Sequence, residues 1–200
     1  MKHKKQFSNF TQREAFELLG IENLREWTIP ATPMAPAPFF QERMTRLQAA
    51  FDLSSSEHAK ELLIDAVCEE AILSHPALKI WKGAPLSDEM TTGYADYLIA
   101  KRRRYLNHPF LCVIEAKKDD FEKGLAQCLV EMHACQWTNR QDGLESDVFG
   151  IVTNGEVWKF YKLEQTGAAH ESLPYSIRQI EDVLGVLSFI FAACERCATD

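Results

Sequence analysis

The sequence predicts an α/β fold in which a mixed sheet is flanked by helices. The hydrophobic pattern alternates over 78–82, 94–101 and 109–117, which is typical of three strands. Helical spacing follows over 119–137. Two more apolar runs, 148–153 and 157–163, flank Asn154-Gly155, a dipeptide typical of a tight hairpin turn. The predicted order is therefore helix, three strands, helix and two strands.

Residues 1–53 are predicted to form an N-terminal helical and proline-rich arm, and residues 54–200 the main domain. Thr11 and Glu14 can form a capping box for a short helix over 12–19. A second helix is expected over about 41–51. Between them, four prolines forbid regular helix and favour extended chain: Pro30, Pro33, Pro36 and Pro38.

The main domain is predicted to begin and end with helices. Ser54 and Glu57 can form a capping box for a third helix, which reaches Ser74. The last helix is expected over 176–193, where apolar residues recur at helical spacing.

Composition limits the classes of protein to consider. With 200 residues and 46% hydrophobic content, the chain can bury one sizeable core. Its net charge of -7 is unlike that of a protein that coats nucleic acid, although a carboxylate site that binds a cation is acidic by design. No apolar run resembles a signal peptide or a membrane span, so we expect a cytoplasmic protein without a membrane partner. Six cysteines lie mostly in apolar patterns and are expected to be reduced.

The chemistry of the chain is expected at the end of the third predicted strand. Glu115 and Lys117 are two residues apart and therefore project from the same face of that strand. Such a pair is costly to bury unless its members pair, bind a cation or face a cleft. On this evidence alone, a simple ion pair is the preferred interpretation.

Two further acids join this pair in the prediction. Asp96 interrupts the apolar run of the preceding strand, although aspartate is a poor strand former. Glu70 falls near the middle of the apolar stripe of the third helix, and we expect it to face the sheet. Three carboxylates suit Mg²⁺ or Mn²⁺, with water and phosphate oxygens completing the coordination. Lys117 beside such a cation could activate or orient an attacking water, or stabilise the charge on phosphorus.

This arrangement resembles the PD-(D/E)XK nuclease superfamily, and within it the nuclease region of type I restriction endonuclease R subunits. The similar phrases are Gly93-Tyr94-Ala95-Asp96, Val113-Ile114-Glu115-Ala116-Lys117 and Val152-Thr153-Asn154-Gly155, with Trp158-Lys159-Phe160. The resemblance covers about half of the chain.

The resemblance implies a restriction-endonuclease-like αβββαβ core and hydrolysis of phosphodiester bonds, in DNA, by metal-activated water. It also implies that Glu70, Asp96 and Glu115 hold Mg²⁺ or Mn²⁺ and that Lys117 assists the water. Gln127, on the next helix, would contact substrate or the lysine, or be a plain polar residue. A homodimer is expected on the ground that a duplex has two strands to cut.

Two other hypotheses stay open. The chain could keep a nuclease fold without catalysis and serve as a binding module for nucleic acid or protein. It could also be an ordinary α/β interaction protein in which these charges form buried pairs. The basic run 101–104 is usually a solvated loop, but near the cleft it could bind phosphates, with Tyr105 and Trp137 as stacking surfaces.

Overall fold

The computed structural model describes residues 4–117 and 120–199. Nine strands are present in it: β1 (Lys5–Gln6), β2 (Arg25–Glu26), β3 (Leu78–Ser87), β4 (Thr91–Lys101), β5 (Phe110–Ala116), β6 (Val148–Thr153), β7 (Val157–Leu163), β8 (Ala169–Glu171) and β9 (Tyr175–Ser176). The helices are α1 (Gln12–Leu19), α2 (Pro38–Ala50), α3 (Glu57–Ile72), α4 (Phe121–Gln141) and α5 (Ile180–Thr199), and short 3-10 turns cover Phe7–Asn9 and Ile177–Gln179.

All nine strands belong to one mixed sheet. The order along it is β1-β4-β5-β6-β7-β8-β2, with β3 also paired to β4 and β9 to β7. The pairs β1–β4, β2–β8 and β5–β6 are parallel, and the others are antiparallel. A parallel pair needs a long crossover, and α4 provides it between β5 and β6. The predicted α/β class, with a mixed sheet flanked by helices, is confirmed.

Each face of the sheet has its own hydrophobic core. The first core lies under α2, α3 and α5, and the second lies under α1 and α4. Side chains alternate between the two cores along β5: Ile114 and Ala116 belong to the first, and Val113 belongs to the second. A strand buried on both faces reads as a continuous apolar run, which explains why a charged residue in β5 is conspicuous.

Local sequence signals predicted several element boundaries correctly. The Thr11 side chain accepts a hydrogen bond from the Glu14 N–H, and the Glu14 carboxylate accepts one from the Thr11 N–H, which confirms the capping box of α1. The hairpin between β6 and β7 also has its predicted bounds. In its turn, Gly155 has a φ of 84°, and the Asn154 side chain accepts hydrogen bonds from two backbone N–H groups.

Other boundaries differ from the prediction. Ser56, and not Ser54, caps α3, because its side chain accepts the Ala59 N–H, whereas the Ser54 hydroxyl donates to Asp52 at 2.7 Å within the preceding turn. Four short strands, β1, β2, β8 and β9, were not predicted. The predicted start of α4, Asp119, lies outside the described residues.

Residues 4–53 pack closely on the rest of the described chain. β1 pairs with β4, and β2 pairs with β8 near the other end of the sheet. Phe7 and Ala15 are buried in the second core, and Ile29 and Phe40 in the first. The proline-rich stretch follows β2 and leads into α2.

Within the described ranges, no helix combines the length and the apolar character of a membrane-spanning segment.

Candidate metal centre

Asp96 lies at a point in β4 where the alternation of side chains between the two cores is interrupted. Ala95 and Leu98 are three residues apart, yet both are buried in the second core, so the simple alternation breaks between them. Opposite Asp96 in β3 stands Gly83, whose φ of 59° is a conformation that favours glycine. This irregularity explains how an aspartate is accommodated in the middle of a long strand.

The carboxylate of Asp96 is held against the end of β5. Its Oδ2 accepts a hydrogen bond of 2.8 Å from the Ala116 N–H, and the side chain is half-buried. Burial raises the pKa of Asp96 above its ordinary value, although this hydrogen bond and the charge of Lys117 oppose the shift. One oxygen is therefore occupied by backbone, and the other is free of that bond.

Glu115 and Lys117 meet as the strand period predicts. Glu115 is completely buried, and the Lys117 ammonium contacts its Oε1. The backbone N–H of Lys117 donates a hydrogen bond of 2.9 Å to the Thr153 carbonyl, which holds the lysine backbone against β6. A Cβ on Gly124 would lie 3.0 Å from the Lys117 Cγ, so the missing side chain in α4 makes room for the lysine stem.

The charges of this group are strongly coupled. Burial raises the pKa of Glu115, the charge of Asp96 raises it further, and Lys117 opposes both. Burial alone would lower the pKa of Lys117, but the nearby carboxylates of Glu115 and Asp96 raise it overall. The lysine is therefore an ammonium at neutral pH, and a second cation close to the two acids would be electrostatically favourable.

A further acid, Glu131, lies beside this group and was not predicted. It is completely buried in α4, and the Gln127 side-chain amide donates to its Oε1 at 3.0 Å. Burial, and then the charge of Glu115, raise the pKa of Glu131. The sequence carried one signal for this residue: Glu131 stands four positions after Gln127 and therefore shares its helical face.

Glu115, Glu131 and Gln127 have buried side-chain oxygens without a hydrogen-bond donor among the described residues. In the described part of the chain, no N–H or hydroxyl donor reaches Glu115 Oε2, Glu131 Oε2 or the Gln127 side-chain oxygen. Buried oxygens in this state are expensive unless a proton or a cation compensates them. These oxygen atoms are hard ligands, which suit Mg²⁺ or Mn²⁺. Gln127 belongs to this cluster because its side chain is hydrogen-bonded to Glu131.

Glu70 is separate from this group, contrary to the prediction. It is buried as expected, but its Oε1 accepts the Ala37 N–H at 2.6 Å. Ala37 precedes α2, whose N-terminus has no capping side chain of its own. The carboxylate therefore satisfies an unpaired N–H and the positive end of the α2 dipole. Glu70 has a structural explanation that needs no metal.

The start of α3 faces the acids instead. Glu57 is its exposed first residue, and its negative charge raises the pKa of both Asp96 and Lys117. At 1.5 Å per residue, Glu70 lies roughly 20 Å further along the helix axis. The sequence singled out Glu57 only as part of a cap, because an exposed glutamate in a first helical turn is common.

The basic run 101–104 lies away from the acids. It follows the C-terminal end of β4, and Asp96 precedes Lys101 by five strand residues, which is roughly 17 Å. Arg102 donates through its Nε to the Pro76 carbonyl at 2.7 Å. The hypothesis that this run binds phosphates beside the acids is therefore not supported by its position.

The protein atoms alone do not form a complete metal cage. Within residues 4–117 and 120–199, no cluster of three or more His, Cys, Asp or Glu side chains is arranged to hold a metal ion. Asp96 and Glu115 supply two carboxylates, and two are sufficient for Mg²⁺, which retains several waters and also binds substrate phosphates. The two carboxylates could hold a cation that keeps several of its waters.

Comparison with known proteins does not add a family. No protein-family model matches the chain, and no curated protein matches it significantly.

Proposed function

We propose that this protein is a metal-dependent nuclease of the PD-(D/E)XK kind, which hydrolyses phosphodiester bonds in DNA. The observation that carries the proposal is the meeting of Asp96, in the middle of β4, with Glu115 and Lys117 at the C-terminal end of β5. Asp96 is bonded to the backbone of β5, and Lys117 contacts Glu115. Two carboxylates that can hold a divalent cation, beside an ammonium that can contact a phosphate oxygen, are suited to phosphodiester hydrolysis.

The order of elements also supports the proposal. α3, β3, β4, β5, α4 and β6 follow one another along the chain, with β3, β4 and β5 antiparallel and β6 parallel to β5. This succession agrees with the αβββαβ core that the resemblance implies. Because many functions share one fold, the succession supports the proposal less strongly than the site does.

Asp96 and Glu115 are the residues that would hold Mg²⁺ or Mn²⁺, with Glu57 approaching from the start of α3. When bound, the cation supplies positive charge to phosphate oxygens and lowers the pKa of a nearby water. The protein fixes the two carboxylates through the Ala116 N–H and the contact of Lys117 with Glu115. These contacts pre-organise the oxygens before any substrate arrives.

Lys117 acts as a cation in this proposal and not as a base. Its pKa is raised, since the carboxylates outweigh the effect of burial, so the ammonium persists at neutral pH. It can donate a hydrogen bond to a phosphate oxygen and orient the attacking water. The bond to Thr153 and the space at Gly124 hold it in place.

The negative charge at the site determines the order in which cation and substrate bind. Asp96, Glu115 and Glu57 would repel a phosphate, and the whole chain carries a net charge of -7. A divalent cation reverses the local sign, so it has to bind before or together with the substrate. We therefore expect no appreciable affinity for DNA at the site when divalent cations are removed.

The test is cleavage of single- and double-stranded DNA with Mg²⁺ or Mn²⁺ by the wild type, Asp96→Asn and Glu70→Gln. We expect divalent-dependent cleavage by the wild type and by Glu70→Gln, and a loss of about 100-fold or more in Asp96→Asn. Calorimetric titration with Mn²⁺ alone measures metal binding independently of cleavage. A wild type that neither binds Mn²⁺ nor cuts would contradict the proposal and favour a nuclease-like fold without catalysis.

A further inference from the structure

Glu131 and Gln127 form the buried side of the cluster around Glu115. They are four positions apart in α4 and therefore share one face of the helix. Glu115 and Glu131 are completely buried, and Gln127 is 7% exposed. The Gln127 amide donates to Glu131 Oε1 at 3.0 Å, so its own oxygen lies beside the Glu131 carboxylate. Of all charged groups, Glu115 contributes most to the raised pKa of Glu131, which places these two acids side by side.

The described residues supply no hydrogen-bond donor to three oxygens of this group: Glu115 Oε2, Glu131 Oε2 and the Gln127 side-chain oxygen. A proton shared by the two carboxyl groups would compensate their oxygens. An amide oxygen is not protonated, however, and can only accept from a donor or bind a cation. The unpaired amide oxygen, more than nine-tenths buried, therefore points to a ligand other than a shared proton.

The basic side chains of α4 do not compensate these oxygens. Lys123 is exposed, and the His133 ring and the Arg140 guanidinium are bonded elsewhere. The Lys117 ammonium contacts the other oxygen of Glu115, Oε1. These four groups thus leave the α4 side of Glu115 without positive charge. Carboxylates in a low-dielectric interior attract a cation more strongly than they attract a neutral water.

This position differs from the one between Asp96 and Glu115. Asp96 approaches from β4, where its Oδ2 accepts the Ala116 N–H, and Glu131 approaches from α4. Among the residues with a described position, no three His, Cys, Asp or Glu side chains are arranged to hold one metal ion. A single ion is therefore not held by Asp96, Glu115 and Glu131 together. Glu115 has two oxygens and can be a ligand on either side.

We infer that Glu115, Glu131 and Gln127 form a second position for a divalent cation, on the α4 side of Glu115. Two carboxylates and an amide oxygen are hard ligands of the kind that Mg²⁺ and Mn²⁺ bind, with water completing the coordination. The inference rests on the proposed function, because Glu115 is also a ligand of the first cation there. The first ion offsets part of the negative charge, so the second ion binds more weakly.

The experiment counts the Mn²⁺ ions that each chain binds. Free Mn²⁺ is measured by electron paramagnetic resonance while the metal is titrated into the full chain, without nucleic acid. The wild type is compared with Glu131→Gln, Gln127→Leu and Asp96→Asn. Glu122→Gln is the matched control, because Glu122 is an exposed acid of the same helix. Far-UV circular dichroism checks that every variant is folded.

We expect two Mn²⁺ ions per wild-type chain, the second with the larger Kd. Glu131→Gln and Asp96→Asn should each bind one ion. Gln127→Leu should weaken binding of the second ion about tenfold or more and leave the first unchanged. Glu122→Gln should match the wild type. Two ions that share Glu115 lie close enough for their spins to couple, and the broadening that this causes in the wild type should be absent from Glu131→Gln.

One Mn²⁺ ion in the wild type, kept by Glu131→Gln and lost in Asp96→Asn, overturns the inference and leaves the first metal centre in place. A proton and a water then fill the space beside Gln127. Two ions in Glu131→Gln, or an unchanged second Kd in Gln127→Leu, also overturn the inference, and Gln127→Leu decides alone if Glu131→Gln does not fold. A wild type that binds no Mn²⁺ contradicts the proposed function as well.

Discussion

Replacing Lys117 with methionine should destabilise the fold unless a divalent cation is present. Methionine keeps an apolar stem over Gly124 but removes the ammonium that contacts Glu115. Glu115 is completely buried and its pKa is raised to about 8, so near and above that pH the variant leaves its charge and that of Asp96 without a cationic partner. Removing one member of a buried pair costs about 3–5 kcal/mol. Since the Lys117 side chain retains 17% exposure, we expect a loss at the lower end of this range, about 3 kcal/mol.

Urea unfolding followed by circular dichroism, with EDTA or with excess Mg²⁺ or Mn²⁺, measures this loss. A cation at 100 times its Kd stabilises a native site by about 2.7 kcal/mol, enough to offset most of the deficit. Lys82→Met is the matched control, because Lys82 pairs with Glu61 and Asp65 in α3 and is 46% exposed. It should lose less than about 1 kcal/mol, with no effect of metal. An equal loss for Lys117→Met with and without metal would refute the reasoning.

Three other substitutions test separate features. Glu70→Gln should lose about 1–2 kcal/mol in urea unfolding, because a charged hydrogen bond to the start of α2 is weakened, and it should bind Mn²⁺ normally. Glu57→Gln should instead weaken Mn²⁺ binding in calorimetry and leave the stability unchanged. If Glu70→Gln weakened Mn²⁺ binding and Glu57→Gln did not, Glu70 would be the ligand and not Glu57. Gly124→Ala places a Cβ 2.7 Å from a Val152 methyl group and against Lys117. The rate of cleavage should therefore fall at least tenfold, while the far-UV circular dichroism spectrum stays native. An unchanged rate would argue against a lysine held in position by this contact. Hydrogen bonds from His133 and from the Thr91 and Met90 backbone outweigh burial and lower the pKa of Asp88 to about 2. The stabilisation by Asp88 should therefore be present above about pH 4 and be lost as the pH falls towards 2, a change of roughly 2 kcal/mol in the free energy of unfolding. Asp88→Asn should remove this pH dependence when unfolding is measured against pH. Glu89→Gln, at an exposed neighbouring position, should retain it.

Features that depend on neighbouring residues could be predicted from the sequence. The period of a strand puts Glu115 and Lys117 on one face, and they do make contact. The Asn154-Gly155 turn and the Thr11 capping box were predicted for similar reasons, because their hydrogen bonds join residues within four positions. In each case the partners were within reach of one another in any folded form of that segment.

The position of an acid along a helix could not be predicted in this way. An apolar stripe indicates that Glu70 is buried, but not what it is buried against, and the partner is the distant Ala37 N–H. α3 has 16 residues and is therefore about 24 Å long, so only the tertiary packing decides which of its ends approaches Asp96. Glu57 is close to the acids because of that packing.

The short strands were missed for a different reason. β1 and β2 have only two residues each, too few to show any alternation, and their partners are far along the chain. Glu131 was also beyond prediction as a site residue, because its relation to Glu115 depends on how α4 crosses the sheet. Long-range contacts of this kind carry no local signature in the sequence.

The pairing of the N-terminal segment with late parts of the chain has a consequence for how the molecule folds during synthesis. Residues 25–26 pair with residues 170–171, and residues 5–6 pair with residues 91–92. During synthesis, which proceeds from the N-terminal side, β2 therefore stays unpaired until residues 170–171 have emerged. Such distant contacts make loop closure costly and slow. β2 is thus made early but is among the last strands to find its partner.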